Sequence, residues 1–86
     1  MNGRALVAWN LRRLRVDQLI SQDKLAADAG VDRAYLGGLE RQAENPTVDL
    51  LSKIAEALAV PLGELFREPA PGDTRPQPLK GGRKPK

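Results

Sequence analysis

The sequence predicts an all-α domain of five short helices followed by a proline-rich tail. Before residue 68, apolar side chains recur at three- and four-residue spacing. No alternating run longer than three residues offers a strand. Ser, Asp, Thr, Gly and Pro stand where helices of that spacing should begin and end. A chain of 86 residues and 9.4 kDa has room for one small domain. Such a domain buries about 60% of its unfolded surface, so its core supplies only a narrow margin of stability.

Val7, Leu11 and Leu14 lie at i, i+4 and i+7 and define one face of a first helix ending near Val16 or Asp17. Ser21 has the side-chain oxygen of a good N-cap and opens a second helix, QDKLAADA, with Leu25, Ala26 and Ala29 inward. Gly30 suits the sharp turn after it. Asp32 caps a third helix, RAYLGGLER, turning Tyr35, Leu36 and Leu39 to the core. The segment QAENP is a loop stopped by Pro46, and Thr47 caps a fourth helix, VDLLSKIAEAL. Val48, Leu51, Ile54, Ala55 and Leu58 form its apolar stripe. Pro61 breaks the chain again and opens a last turn or two, LGELF. The folded unit is thus residues 1–67. Beyond Phe66 lie five of the seven prolines and a single large apolar residue, Leu79. Residues 68–86 bury too little to offset ordering entropy and read as a disordered basic tail.

The chain has no Cys and no His, which excludes disulfides, zinc fingers and every Ser-His or Cys-His catalytic arrangement. Ser21 and Ser52 are the only serines, and adjacent Ser52 and Lys53 point to different helix faces. The carboxylates are scattered without metal-ligand spacing. No enzyme, metal or cofactor is expected. No apolar run approaches the roughly 20 residues of a membrane span. The chain reads as soluble, with a cytoplasmic location expected. Charge is uneven: residues 1–20 carry four basic and one acidic side chain, residues 21–67 five and eight, and residues 68–86 five and two. The ends are +3 each and the middle −3: with a nucleic-acid partner much of the phosphate attraction would come from the first helix and the tail, and the alternative is scattered solubilising charge.

Two short helices joined by a tight Gly-containing turn, SQDKLAADAGVDRAYLGGLERQ over residues 21–42, form a helix-turn-helix pattern. The run SQ-xx-LA-xx-AGV-xR-xYL-xx-LER, followed by NPTVDLLSKIAEAL-x-V, resembles the Cro/phage-repressor (Xre) class over residues 6–67. The resemblance implies a phage-repressor-like fold whose third helix lies in the major groove of duplex DNA. It places Gln22 on a phosphate, which suits an amide at a helix N-terminus. With Leu36 and Leu39 inward, Ala34, Gly37, Gly38 and Arg41 turn outward and Arg33 leads the helix. Arg33 suits guanine, since a guanidinium reaches O6 and N7 together. Arg41 suits a phosphate, and Asn45 in the following loop completes the expected DNA-contacting set. Two interior glycines cost a helix about 1 kcal/mol each, which fits either a close approach of the backbone to DNA or a partner, or two unused surface positions. Asp32 is assigned to capping, because an acid repels phosphate.

The resemblance also pairs Glu40 with Arg15 as a structural clamp. Leu19 and Gln42 stand where relatives place Gly, and a Leu at positive φ is costly, so a rebuilt first turn or a longer first helix is expected. Trp9 lies opposite Val7, Leu11 and Leu14 and fits a partner contact or boundary packing. The reading is a transcriptional regulator that binds DNA as a homodimer, through Leu62, Leu65 and Phe66. The alternative is an antitoxin or adaptor of the same fold that grips a protein through its tail.

Overall fold

The computed structural model describes residues 1–70 and 72. Among them the chain forms α1 (Gly3–Asp17), α2 (Gln22–Ala29), α3 (Arg33–Glu40), α4 (Val48–Ala57) and a 3₁₀ helix (Leu62–Phe66). The expected count of five helices is corrected to four α-helices and one 3₁₀ helix. Pro61 fixes the entry to that last element, and the Glu64 amide donates to the Pro61 carbonyl at 3.0 Å. Apart from Glu68–Ala70 and Gly72, the expected tail lies outside the described residues.

Each α-helix starts where a side chain can accept from the orphan amides of its first turn. Asn2 accepts from Ala5, Ser21 from Lys24, Asp32 from Tyr35 and Thr47 from Leu50, at 2.9–3.1 Å. The caps expected at Ser21, Asp32 and Thr47 are all used.

The helices also end alike. After α1, α2, α3 and α4 one residue takes the left-handed conformation: Leu19 (φ 57°), Gly30 (71°), Gln42 (63°) and Ala59 (58°). In each case the next amide reaches back five residues: Ile20 to Arg15, Val31 to Ala26, Ala43 to Gly38 and Val60 to Ala55, at 2.8–3.0 Å. The expectation at Leu19 is therefore corrected. The first helix is not extended, and Leu19 itself adopts the positive φ. Its side chain is exposed, so packing does not compel the conformation. The Arg15 guanidinium donating to the Ile20 carbonyl at 2.9 Å holds the turn instead.

The core draws on every element. Leu11, Leu25, Leu36, Leu39, Ile54, Leu58 and Leu65 are all essentially shielded from solvent. Each contributes about 1.5–3 kcal/mol by burial. Tyr35 and Leu62 pack at the edge of this cluster. Val48, expected inward, is 64% exposed, and Leu50 packs against the core instead. Val48 is the first residue after the cap, and the apolar face of a helix is useful only where a neighbour covers it.

The 3₁₀ helix is tied to α1 by polar groups. Asn10 is fully buried, and its Nδ2 donates to the carbonyls of Leu6, Leu65 and Arg67 at 3.0, 3.2 and 2.8 Å. Arg13 donates to the Asn10 side-chain oxygen at 3.1 Å and to the Glu64 carboxylate at 3.1 Å. The 3₁₀ turn thus closes on the first helix, leaving α2 and α3 to form a separate face.

Candidate nucleic-acid interface

The pair α2–α3 is joined by Gly30, Val31 and Asp32, a turn fixed by the left-handed Gly30 and the Asp32 cap. What fixes the pair to the rest of the domain is Glu40, at the end of α3. Its side chain has no exposure to solvent. Oε2 accepts from Arg15 Nε at 2.6 Å, and Oε1 accepts from Arg15 Nη2 at 2.9 Å. Arg12 Nε and Gln22 Nε2 each donate to Oε1 at 3.2 Å. One carboxylate therefore joins α1, α2 and α3. The clamp expected between Glu40 and Arg15 is present, with Arg12 and Gln22 added.

Burial alone pushes the Glu40 carboxyl up. Hydrogen bonding and charge from Arg15, then hydrogen bonds from Gln22 and Arg12, outweigh it and hold the group below its ordinary 4.5. It stays ionised at neutral pH.

Gln22 is half-buried, one amide proton committed to Glu40 and the other left for an external acceptor. Arg33, first residue of α3, is 63% exposed and pairs through Nε with Oδ1 of Asp23 in the first turn of α2. Ala34 and Arg41 are exposed. Asn45 is exposed in the loop beyond α3, next to Glu44.

Gly37 and Gly38 depart from the expectation. Both are buried, because neighbouring side chains fold over them. A methyl on Gly37 would lie 3.3 Å from Arg41 Nη1 and 3.6 Å from Gln22 Oε1. A methyl on Gly38 would lie 2.7 Å from Glu44 Cγ. Within the protein, the bare backbone makes room for Arg41, Gln22 and Glu44. The cluster the structure assembles is thus Gln22, Gly37 and Arg41 on one side and Arg33 with Asp23 on the other.

A helix-turn-helix family model matches residues 11–65, more than half of the chain. The chain belongs to that helix-turn-helix family. A hypothetical transcription factor of Neisseria meningitidis serogroup B is 34% identical over 92% of this chain and 82% of its own. The HTH-type transcriptional regulator y4dJ of Sinorhizobium fredii is 42% identical over 76% of this chain and 84% of its own. The crystal structure of the restriction-modification controller protein C.AhdI from Aeromonas hydrophila superposes with a TM-score of 0.71 at 38% identity. It covers 73% of this chain and 96% of that one.

In this helix-turn-helix protein, sequence reasoning missed two residues that shape the interface, Asp23 and Arg12, and one, Asn10, that ties the 3₁₀ helix to α1. Asp23 was counted only as acidic charge, and its partnership with Arg33 spans two helices that no spacing rule connects. Arg12 follows from Arg15 by one helical turn, a spacing that places both on one face. Asn10 sits among Val7, Leu11 and Leu14, a polar residue on an apolar stripe, which is a legible sign of a buried hydrogen bond. Trp9 is half-buried and lines a pocket with Met1, Ala5, Arg12 and Gln42 at the junction of α1 and the end of α3. Among the described residues no helix is long and apolar enough to cross a membrane.

Proposed function

We propose that the protein is a sequence-specific transcriptional regulator that binds duplex DNA with α3 in the major groove. The observation that carries this reading is the exposed Arg33 and Ala34 at the start of α3, beside the free amide edge of Gln22. A helix presented N-terminus first suits base edges, while Gln22 and Arg41 suit the flanking phosphates. Gly37, Gly38 and Asn45 belong to the same surface. Gly37 acts there by letting Arg41 and Gln22 lie close to the helix, and Gly38 by making room for Glu44. The names carried by the relatives, transcription factor, transcriptional regulator and controller protein, support the same reading.

A random-duplex selection tests it. The wild type enriches a motif. Arg33→Ala loses preference at one base pair, by about 1–3 kcal/mol, while Gln22→Ala weakens every sequence alike. No enrichment by the wild type would refute the function, and a uniform loss in Arg33→Ala would make Arg33 a phosphate contact.

Few side chains on α3 read bases, so one copy discriminates poorly against competing sites. A two-fold dimer with half-sites about 34 Å apart doubles the readout. Phe66, 41% exposed on the 3₁₀ helix, supplies apolar surface for that pairing. Sedimentation of the complex on a selected duplex measures its mass, and a single protomer holding a non-repeated site at full affinity would refute the dimer.

A further inference from the structure

Asp23 is an unexpected residue on a surface meant for phosphates. It is 74% exposed, it lies in the first turn of α2 beside Gln22, and it carries a charge that DNA repels. A helix N-terminus stabilises a carboxylate, but Ser21 already caps α2, so capping does not require Asp23. Its partner is Arg33, the side chain on which base readout rests, and the pair joins Arg33 Nε to Asp23 Oδ1.

The atom used decides what this pair does. A guanidinium has five N–H groups in a planar fork. The ion pair is made at Nε, and among the described residues no protein acceptor takes the terminal Nη1/Nη2 edge. That edge is the one that meets O6 and N7 of guanine end-on. The contact also restricts a long, flexible side chain before it meets DNA, so less freedom is lost on binding. In water an exposed pair of this kind is weak. Once a groove excludes solvent from it, the same contact strengthens.

We propose that Asp23 is a specificity-determining positioning residue, a carboxylate on α2 that aims the Arg33 fork at a guanine. The proposal rests on the DNA-binding reading above and assigns to Asp23 a role opposite to its bare charge. It lowers affinity for DNA in general and raises discrimination at one base pair.

The two effects separate in variants of the full chain. Asp23→Ala removes the carboxylate altogether, while Asp23→Asn removes the charge and keeps a side chain of the same shape. Each is measured on the selected duplex, on the same duplex with the Arg33-dependent pair changed, and on random duplex, at one salt concentration. The wild type discriminates at that pair by about tenfold or more. In Asp23→Ala the discrimination falls to within about threefold of none, while random-duplex affinity rises as a repelling charge is lost. Asp23→Asn falls between the two. The double variant Asp23→Ala/Arg33→Ala discriminates no worse than Arg33→Ala alone, because both changes act through one contact.

If the Asp23 variants bind all duplexes more tightly with preference intact, Asp23 is only a repelling charge and the proposal is overturned. Additive losses in the double variant overturn it as well. If Arg33→Ala keeps full preference, the Arg33 reading fails and takes this proposal with it, whereas a wild type with no preferred sequence refutes the DNA-binding reading itself. Because Asp23 is exposed and outside the core, circular dichroism of each variant should match the wild type.

Discussion

Replacing Glu40 by Gln removes one negative charge and leaves the shape of the side chain almost unchanged. The Arg15 side chain beside it is only 5% exposed and would remain charged. Gln can still accept at one oxygen, but its amide group would face the Arg15 Nε that now donates at 2.6 Å. A buried guanidinium without a compensating anion costs about 3–5 kcal/mol. For roughly 70 folded residues, at about 0.05–0.15 kcal/mol each, total stability is about 4–10 kcal/mol. Glu40→Gln should therefore remove about half of it.

Urea titration followed by circular dichroism measures this directly, and the pH dependence adds an independent check. The folded carboxyl titrates below the unfolded value of 4.5. As pH falls through that value, the unfolded chain takes up its proton first, so Glu40's contribution is full above it. The contribution is then lost as pH drops through the folded value. The wild type should lose its advantage over Glu40→Gln as pH falls below 4.5 and on through the lower folded value. A loss below about 1 kcal/mol at neutral pH would refute a closed buried cluster, and so would a difference that does not change with pH.

Leu19→Gly should stabilise the domain by about 0.5–1 kcal/mol, because glycine occupies the left-handed region without the penalty that Leu incurs. A melting temperature unchanged or lowered would mean that the turn is not strained. Gly37→Ala should also stabilise, by up to about 1 kcal/mol of helix propensity, provided the Arg41 side chain moves by a few tenths of an ångström. The same variant should bind DNA more weakly, since Arg41 is shifted from its seat against Gly37. A gain in stability with unchanged affinity would separate Gly37 from the interface.

Local signals made most of the fold legible. The bounds of α2 follow from Ser21 and the left-handed Gly30, and the starts of α3 and α4 from Asp32 and Thr47, because a cap is a property of neighbouring residues. Turn chemistry was harder to read. Leu19, Gln42 and Ala59 end helices in a conformation their side chains disfavour, and the amide that returns from three residues beyond the helix makes it acceptable. Burial was legible as a direction on a helix but not as the presence of a cover. Periodicity alone therefore placed Val48 inward and Gly37 and Gly38 outward. Arg15 and Glu40 were legible through the family resemblance, whereas the pairing of Asp23 with Arg33 depends on how α2 and α3 are held together in space.

The buried Asn10 has a consequence for the order in which the domain comes into being. Two of the carbonyls that its amide meets belong to Leu65 and Arg67, 55 and 57 residues further along the chain. While the protein is being made, α1 emerges first, but its polar side chain cannot be buried there without leaving hydrogen bonds unmade. A nascent chain ending before Arg67 would have to keep that face of α1 wet. The domain should thus resist digestion only after synthesis has passed the 3₁₀ helix, and shorter ribosome-bound chains should remain open to proteases whatever helices they contain.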